Sequence, residues 1–150
     1  MPYCTTSVID LAALIDAVAG PECGGIATFV GTVRCGEDDG PVRHIEYSGY
    51  EEMIEAEFAG IAAEARARWP RTRTAARHRI GIVLLGEASI AVVVAAPHRA
   101  EALDACRFMI EEAKRRLPVW KKEVLQGGEA VWRDNTGRRV PSGGGPRDPD

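Results

Sequence analysis

The run ASIAVVVAA at residues 88–96 holds one polar side chain, Ser89. Such a run cannot alternate between a wet and a dry face, so it reads as a buried strand. The apolar core of the run, residues 90–96, is strand-length, far short of the roughly 18 residues that cross a bilayer. The first residues, Met-Pro-Tyr-Cys, lack the basic-then-apolar pattern of a secretory signal. A soluble, cytoplasmic protein is therefore expected. With 150 residues, 45% of them apolar, the chain corresponds to one domain and is not disordered as a whole. A chain of this size buries roughly 68–70% of its unfolded surface, enough to fold without disulfide or metal staples.

The rest of the chain alternates between helix-like and strand-like segments. Residues 8–19 predict a short helix with Thr5, Thr6 or Ser7 as N-cap, ended by Gly20-Pro21. Residues 24–34 and 42–48 predict strands on either side of the acidic, turn-rich loop 35–41. Residues 50–69 predict a helix with Ile54, Phe58, Ile61, Ala65 and Trp69 on one face, stopped by Pro70. Residues 74–85 alternate as one strand, with Ala76, His78, Ile80, Ile82 and Leu84 sharing a face. A second long helix follows over 98–117, and residues 119–125 and 130–134 form a closing hairpin. Strands in adjacent pairs between helices imply α+β, with a largely antiparallel sheet. Residues 135–150 hold four Gly, three Pro and one apolar residue, Val140, and are expected to be a disordered tail after a single domain of residues 1–134.

Net charge is −3, which argues against a dedicated nucleic-acid binder. The charge is unevenly spread. Residues 37–64 carry nine acids and one base, whereas residues 97–122 carry seven bases and four acids. The second segment is the place to look for an anionic ligand. Cys4, Cys23, Cys35 and Cys106 form no CxxC pair and read as reduced thiols. His44, His78 and His98 lack metal-ligand spacing, so no metal is expected.

Three places suit anion chemistry. Pro97-His98-Arg99 sits where the buried strand gives way to a helix, whose N-terminal N–H groups and partial positive charge favour anions. On the helix itself, the stripe Leu103, Cys106, Ile110, Ala113 and Leu117 leaves Lys114 at the edge of the buried face. Partial burial and neighbouring cations lower a lysine pKa and suit it to acid–base or nucleophilic work. In PVWKKE, Lys121 and Lys122 point to opposite strand faces, so one can join Lys114; alternation does not say which. Arg34, at a strand end beside a loop, suits a phosphate or carboxylate. The competing readings are structural: a solvated Arg99, a capping His98, a snorkelling Lys114 and a surface Arg34. Arg66, Arg68, Arg71, Arg73, Arg77 and Arg79 read as a solvated face rather than a nucleic-acid patch.

Taken together, FVGTVR (29–34), IEYSGYEEM (45–53), ARARWP (65–70), HRIG (78–81), GEASI (86–90), PHRAEALDACRFMI (97–110) and KRRLPVWKKE (114–123) resemble the catalytic (large) subunit family of molybdopterin synthase. The resemblance covers roughly residues 24–134. It implies an α/β-hammerhead fold and conversion of cyclic pyranopterin monophosphate to molybdopterin in molybdenum cofactor biosynthesis. Sulfur would arrive as a C-terminal glycine thiocarboxylate on a small ubiquitin-like partner. A central homodimer would carry one such partner at each end, with no further cofactor. Carried over by motif, the pocket residues are Arg34, His98, Arg99, Lys114 and Lys121. Lys114 takes the chemical role and Lys121 the electrostatic one. Thr32 and Val33 precede Arg34 in the substrate-binding stretch, and Lys122 and Glu123 follow Lys121.

The chain departs from the family pattern at Cys35, in the acidic loop, and in residues 135–150. Gly143-Gly144-Gly145 is followed by Pro-Arg-Asp-Pro-Asp and is not a thiocarboxylate terminus, so sulfur would come in trans. Two alternatives are a non-catalytic partner-binding subunit of the same fold and a nucleic-acid-binding domain using the arginines between Arg66 and Arg79.

Overall fold

A computed structural model describes residues 1–35 and 40–141. Its elements are β1 (Cys4–Thr5), α1 (Leu11–Val18), β2 (Gly25–Thr32), β3 (Val42–Ser48), α2 (Glu51–Arg68), β4 (Arg73–Arg79), β5 (Gly81–Leu84), β6 (Ala88–Ala96), α3 (Arg99–Arg116), β7 (Trp120–Leu125) and β8 (Ala130–Asp134). They build two four-stranded sheets, β1-β4-β6-β2 and β5-β3-β7-β8. The short β1–β4 pairing is parallel and the other named pairings are antiparallel. The arrangement is the expected α+β one, with two helices of 18 residues and one of 8.

The unbroken apolar character of β6 follows from helices on both of its faces. Ile90, Val92, Val94 and Ala96 join the main core with Phe58 and Ile61 of α2 and Met109 and Ala113 of α3. Ala91, Val93 and Ala95 pack on the other face against Leu14 and Val18 of α1. Each fully buried valine here contributes about 1.5–3 kcal/mol relative to exposure. The second sheet closes over the same main core with Ile45, Tyr47, Val83 and Leu125.

Several elements differ from the sequence expectation. α1 begins at Leu11, and its cap is Asp10, whose carboxylate accepts from the Ala13 N–H at 3.1 Å. Thr5 is instead taken up in β1, and its carbonyl accepts from the Ile80 N–H. The strand expected over 74–85 is two strands in different sheets. Gly81 has φ +99°, a conformation open to glycine and strained for other residues, and the chain changes sheets there. The alternation resets with it: Ala76 and His78 are buried, Ile82 and Leu84 are each 52% exposed, and Val83 is buried. On α3, Leu103 is exposed; the buried face is Ala102, Ala105, Cys106, Met109, Ile110 and Ala113. Lys114 stays at its margin.

Asn135, placed by sequence in the tail, is buried. Its Nδ2 donates to the carbonyls of Ala113 (2.8 Å) and Leu117 (3.4 Å) at the end of α3. The chain then turns back along β8, with the Val140 N–H donating to the Trp132 carbonyl. Residues 142–150, the remainder of that expected tail, and residues 36–39 of the acidic loop lie outside the described residues.

Candidate active site

The C-terminal end of α3 faces both sheets across a cleft of about 580 Å³. The bulge between Gly31 and Thr32 ends the regular β2 ladder, and Arg34 follows at the rim. Ser89 of β6 lies at the floor, its Oγ donating to the Gly31 carbonyl at 3.3 Å. Lys114 enters from α3. Pro118 stops that helix, and β7 brings Lys121 and Glu123, two residues apart and so on one strand face, into the same cleft. Register aligns Tyr47, Lys121 and Arg133 in a row across β3, β7 and β8, and all three line the cleft.

The electrostatics are those of a crowded, partly dehydrated cation cluster. Burial, and then the charge of Lys121, push the Lys114 pKa down from 10.5 to about 8. At pH 7 about a tenth of such a lysine is neutral, against well under a thousandth at its ordinary value. Lys121 is also held low, first by burial; Arg133 and Arg34 add to this, and Glu123 and Asp134 oppose it. Behind the cleft, His78 is fully buried with its ring edge against Tyr47. Burial and the nearby Lys114 push His78 down to about 3, so it is neutral, and Nδ1–H donates to the Arg79 carbonyl at 2.9 Å. A site of this kind gathers oxyanions and offers one amine able to give and take a proton near neutral pH.

A model of the family described as MoaE protein matches residues 4–116. The chain belongs to the MoaE protein family. It is 40% identical over 128 residues to a molybdopterin synthase catalytic subunit of Arabidopsis thaliana, covering 85% of this chain and 64% of the relative. It is 43% identical over 127 residues to one of Oryza sativa subsp. japonica, covering 85% of this chain and 65% of the relative. The chain thus spans just under two thirds of the length of these plant relatives. A catalytic subunit of Thermoplasma volcanium is 40% identical over 119 residues, 79% of this chain and 87% of that one. Among solved structures, molybdopterin synthase from Staphylococcus aureus superposes with TM-score 0.84 at 28% identity, covering 87% of this chain and 95% of the other.

Of the residues singled out from sequence, the fold of this MoaE-family chain brings together Thr32, Arg34, Lys114, Lys121 and Glu123. The other four do not line the cleft. Val33 is buried in the core. Lys122 points to the opposite face of β7, 5.7 Å from the Trp132 ring centroid and 3.7 Å from a Glu46 carboxylate oxygen. His98 is the N-cap residue of α3 and Arg99 its first residue. A Cβ added to Gly25 would lie 3.3 Å from the Arg99 Cα, which places this pair at the start of β2. Thr32 is at the other end, roughly 23 Å along an extended strand.

Sequence reading missed Tyr47, Ser89 and Arg133. The hairpin pattern could have found Arg133, since pairing about Gly127-Gly128 sets it opposite Lys121. The arginines from 66 to 79 are largely engaged in the fold. Arg68 stacks over Phe108 at 5.0 Å from the centroid, Arg71 pairs with Glu101, Arg73 with Glu22 and Arg79 with Glu87. Arg77 donates to the Pro2 carbonyl. Cys4 and Cys106 are buried, and burial raises both thiols, Cys4 to about 11. No cysteine lines the cleft among the described residues.

Proposed function

We propose that this chain is the catalytic subunit of a molybdopterin synthase, acting in the cytoplasm. It would transfer sulfur from the C-terminal thiocarboxylate of a small ubiquitin-like carrier to cyclic pyranopterin monophosphate. The observation that carries this reading is the cleft, where, among the described residues, Arg34, Lys114, Lys121 and Arg133 stand against one carboxylate, Glu123. Both reactants are anions and repel each other in water. A preorganised cation cluster offsets that repulsion and holds sulfur against carbon. The carrier would bring the nucleophilic sulfur, consistent with a cleft wall that presents amines and guanidinia. Lys114 would act on the reacting centre as acid, base or nucleophile, because its amine is the one held near neutrality. Lys121, whose charge Glu123 supports, would supply electrostatic hold.

A homodimer completes this reading. β2 is an edge strand whose Ile26, Phe29 and Val30 are 42%, 39% and 37% exposed. An exposed apolar edge invites pairing with another chain. Antiparallel pairing of β2 with its own symmetry mate would set the Gly25 end of one copy against the Thr32 end of the other. His98 and Arg99 of each copy would then reach the partner copy's cleft, which explains how they can belong to a site they do not line within one chain. With one carrier on each copy the assembly is two-plus-two.

Mixing the chain with thiocarboxylated carrier and the cyclic precursor tests the function: dithiolene product is expected, and its absence refutes the reading. Light scattering at micromolar concentration tests the dimer, and a strictly monomeric mass refutes that part.

A further inference from the structure

Arg133 reaches the cleft from β8, and its register partner on β7 is Lys121. Two cations thus stand directly opposite each other on one face of an antiparallel pair. Like charges in that position are destabilising. A pair chosen for stability alone would set a carboxylate opposite Lys121. Instead the carboxylate is on the diagonal: Glu123 Oε1 is 3.2 Å from Arg133 Nε, with the two side chains 14% and 21% exposed. Arg133 Nη1 also donates to the Gly137 carbonyl at 3.0 Å, which helps fix the guanidinium on the cleft wall. Lys121 and Arg133 sense each other's charge, and Glu123 opposes that repulsion. This arrangement keeps a cation pair together beside the Glu123 carboxylate, and an incoming oxyanion would relieve the same repulsion.

We propose that Arg133 is a ligand-binding residue of this site: with Lys121 it forms a two-pronged grip on an oxyanion, and Glu123 keeps the guanidinium aimed into the cleft until that oxyanion arrives. The inference deepens the proposed function and takes its ligands from it. The oxyanion is the phosphate of the pterin substrate or the terminal carboxylate or thiocarboxylate of the carrier. A planar fork beside an ammonium suits either. Arg133 makes and breaks no covalent bond in this role.

Three measurements test it on wild type, Arg133→Ala and Arg133→Lys, with melting temperature recorded for each. The first is the dissociation constant of inorganic phosphate for the chain by calorimetry. The second is the dissociation constant of the unmodified carrier. The third is KM for the cyclic precursor in the assembled synthase. Losing a charge-assisted hydrogen bond is worth about ten- to a hundredfold. Arg133→Ala is therefore expected to weaken phosphate by about that factor. It should also raise either the precursor KM, which identifies the substrate phosphate, or the carrier dissociation constant, which identifies the carrier terminus. If the alanine variant does not fold, Arg133→Lys carries the test. A binding role predicts restored melting temperature with the binding constants still raised, because one ammonium does not reproduce the fork. A merely structural role predicts that melting temperature and binding constants return together, and that result overturns the inference. Unchanged phosphate and carrier constants and unchanged KM in a folded Arg133→Ala also overturn it while leaving the proposed function standing. Wild type that makes no product refutes the function instead, and the phosphate measurement still decides the role of Arg133.

Discussion

Replacing Lys114 by methionine should make the protein more stable while abolishing product formation. The side chain keeps its unbranched stem and loses its charge. With a folded-state pKa of about 8 against an ordinary 10.5, the charged amine costs the fold on the order of 3 kcal/mol. Lys114 is half-buried rather than sealed, so solvent screening reduces the expected gain to about 1–3 kcal/mol at pH 7. For a domain of this size that is a rise of roughly 2–12 °C in Tm. The pH dependence gives a second signature. The folded-state pKa lies below the unfolded one, so between about pH 8 and 10.5 the unfolded chain binds more protons than the folded one. Wild-type stability from this group therefore climbs with pH across that window, and the penalty is fully present below it. The advantage of the methionine variant should shrink as pH approaches 10.5. Urea unfolding of both proteins at one concentration and several pH values measures this difference directly. A variant less stable than wild type at pH 7, or a difference that is flat from pH 7 to 10.5, refutes the desolvated-lysine argument.

Lys114→Arg should also fail to form product, since arginine keeps charge and does not give up a proton, whereas Lys121→Arg should retain part of the activity; turnover assays on the assembled synthase separate the two. Asn135→Ala should cost about 1–3 kcal/mol by removing the donor to the Ala113 and Leu117 carbonyls, read by denaturant midpoint. Gly81→Ala should cost about 1–2 kcal/mol by thermal unfolding. Nothing lies within 4 Å of the added methyl, so any loss there is backbone strain at φ +99° rather than a clash.

The helices and most strands were legible because their signals are local. Pro70 and Pro118 stop helices, and β6 has a composition that admits no wet face. The change of sheet at Gly81 was not legible, because HRIGIVLL alternates equally well as one strand. Only the positive φ of a single glycine divides it. The exposure of Leu103 was hidden for a related reason: apolar periodicity finds a stripe, and small residues such as Ala102 and Ala105 shift where that stripe is centred. Lys114, Lys121 and Arg34 could be singled out from position and charge. Tyr47 and Ser89 could not, since ordinary strand residues become site residues only through register with distant strands, whereas Arg133 needed only the register of the closing hairpin. The placement of His98 and Arg99 at the far end of β2 was equally invisible, because motif order carries no distance.

The cleft draws on β2, β3, β6, α3, β7 and β8, and sheet pairing joins residues as far apart as Val42 and Leu125. Distant pairings of this kind slow folding, since long loops must close before any contact rewards them. No shorter stretch of the chain holds the whole cluster: a nascent chain that has not yet released β7 and β8 presents Arg34 and Lys114 without Lys121, Glu123 or Arg133. Competence to gather its anions therefore arrives late in synthesis and all at once. On the proposed function, a half-made chain has little means of capturing a reactive sulfur donor before it can use one.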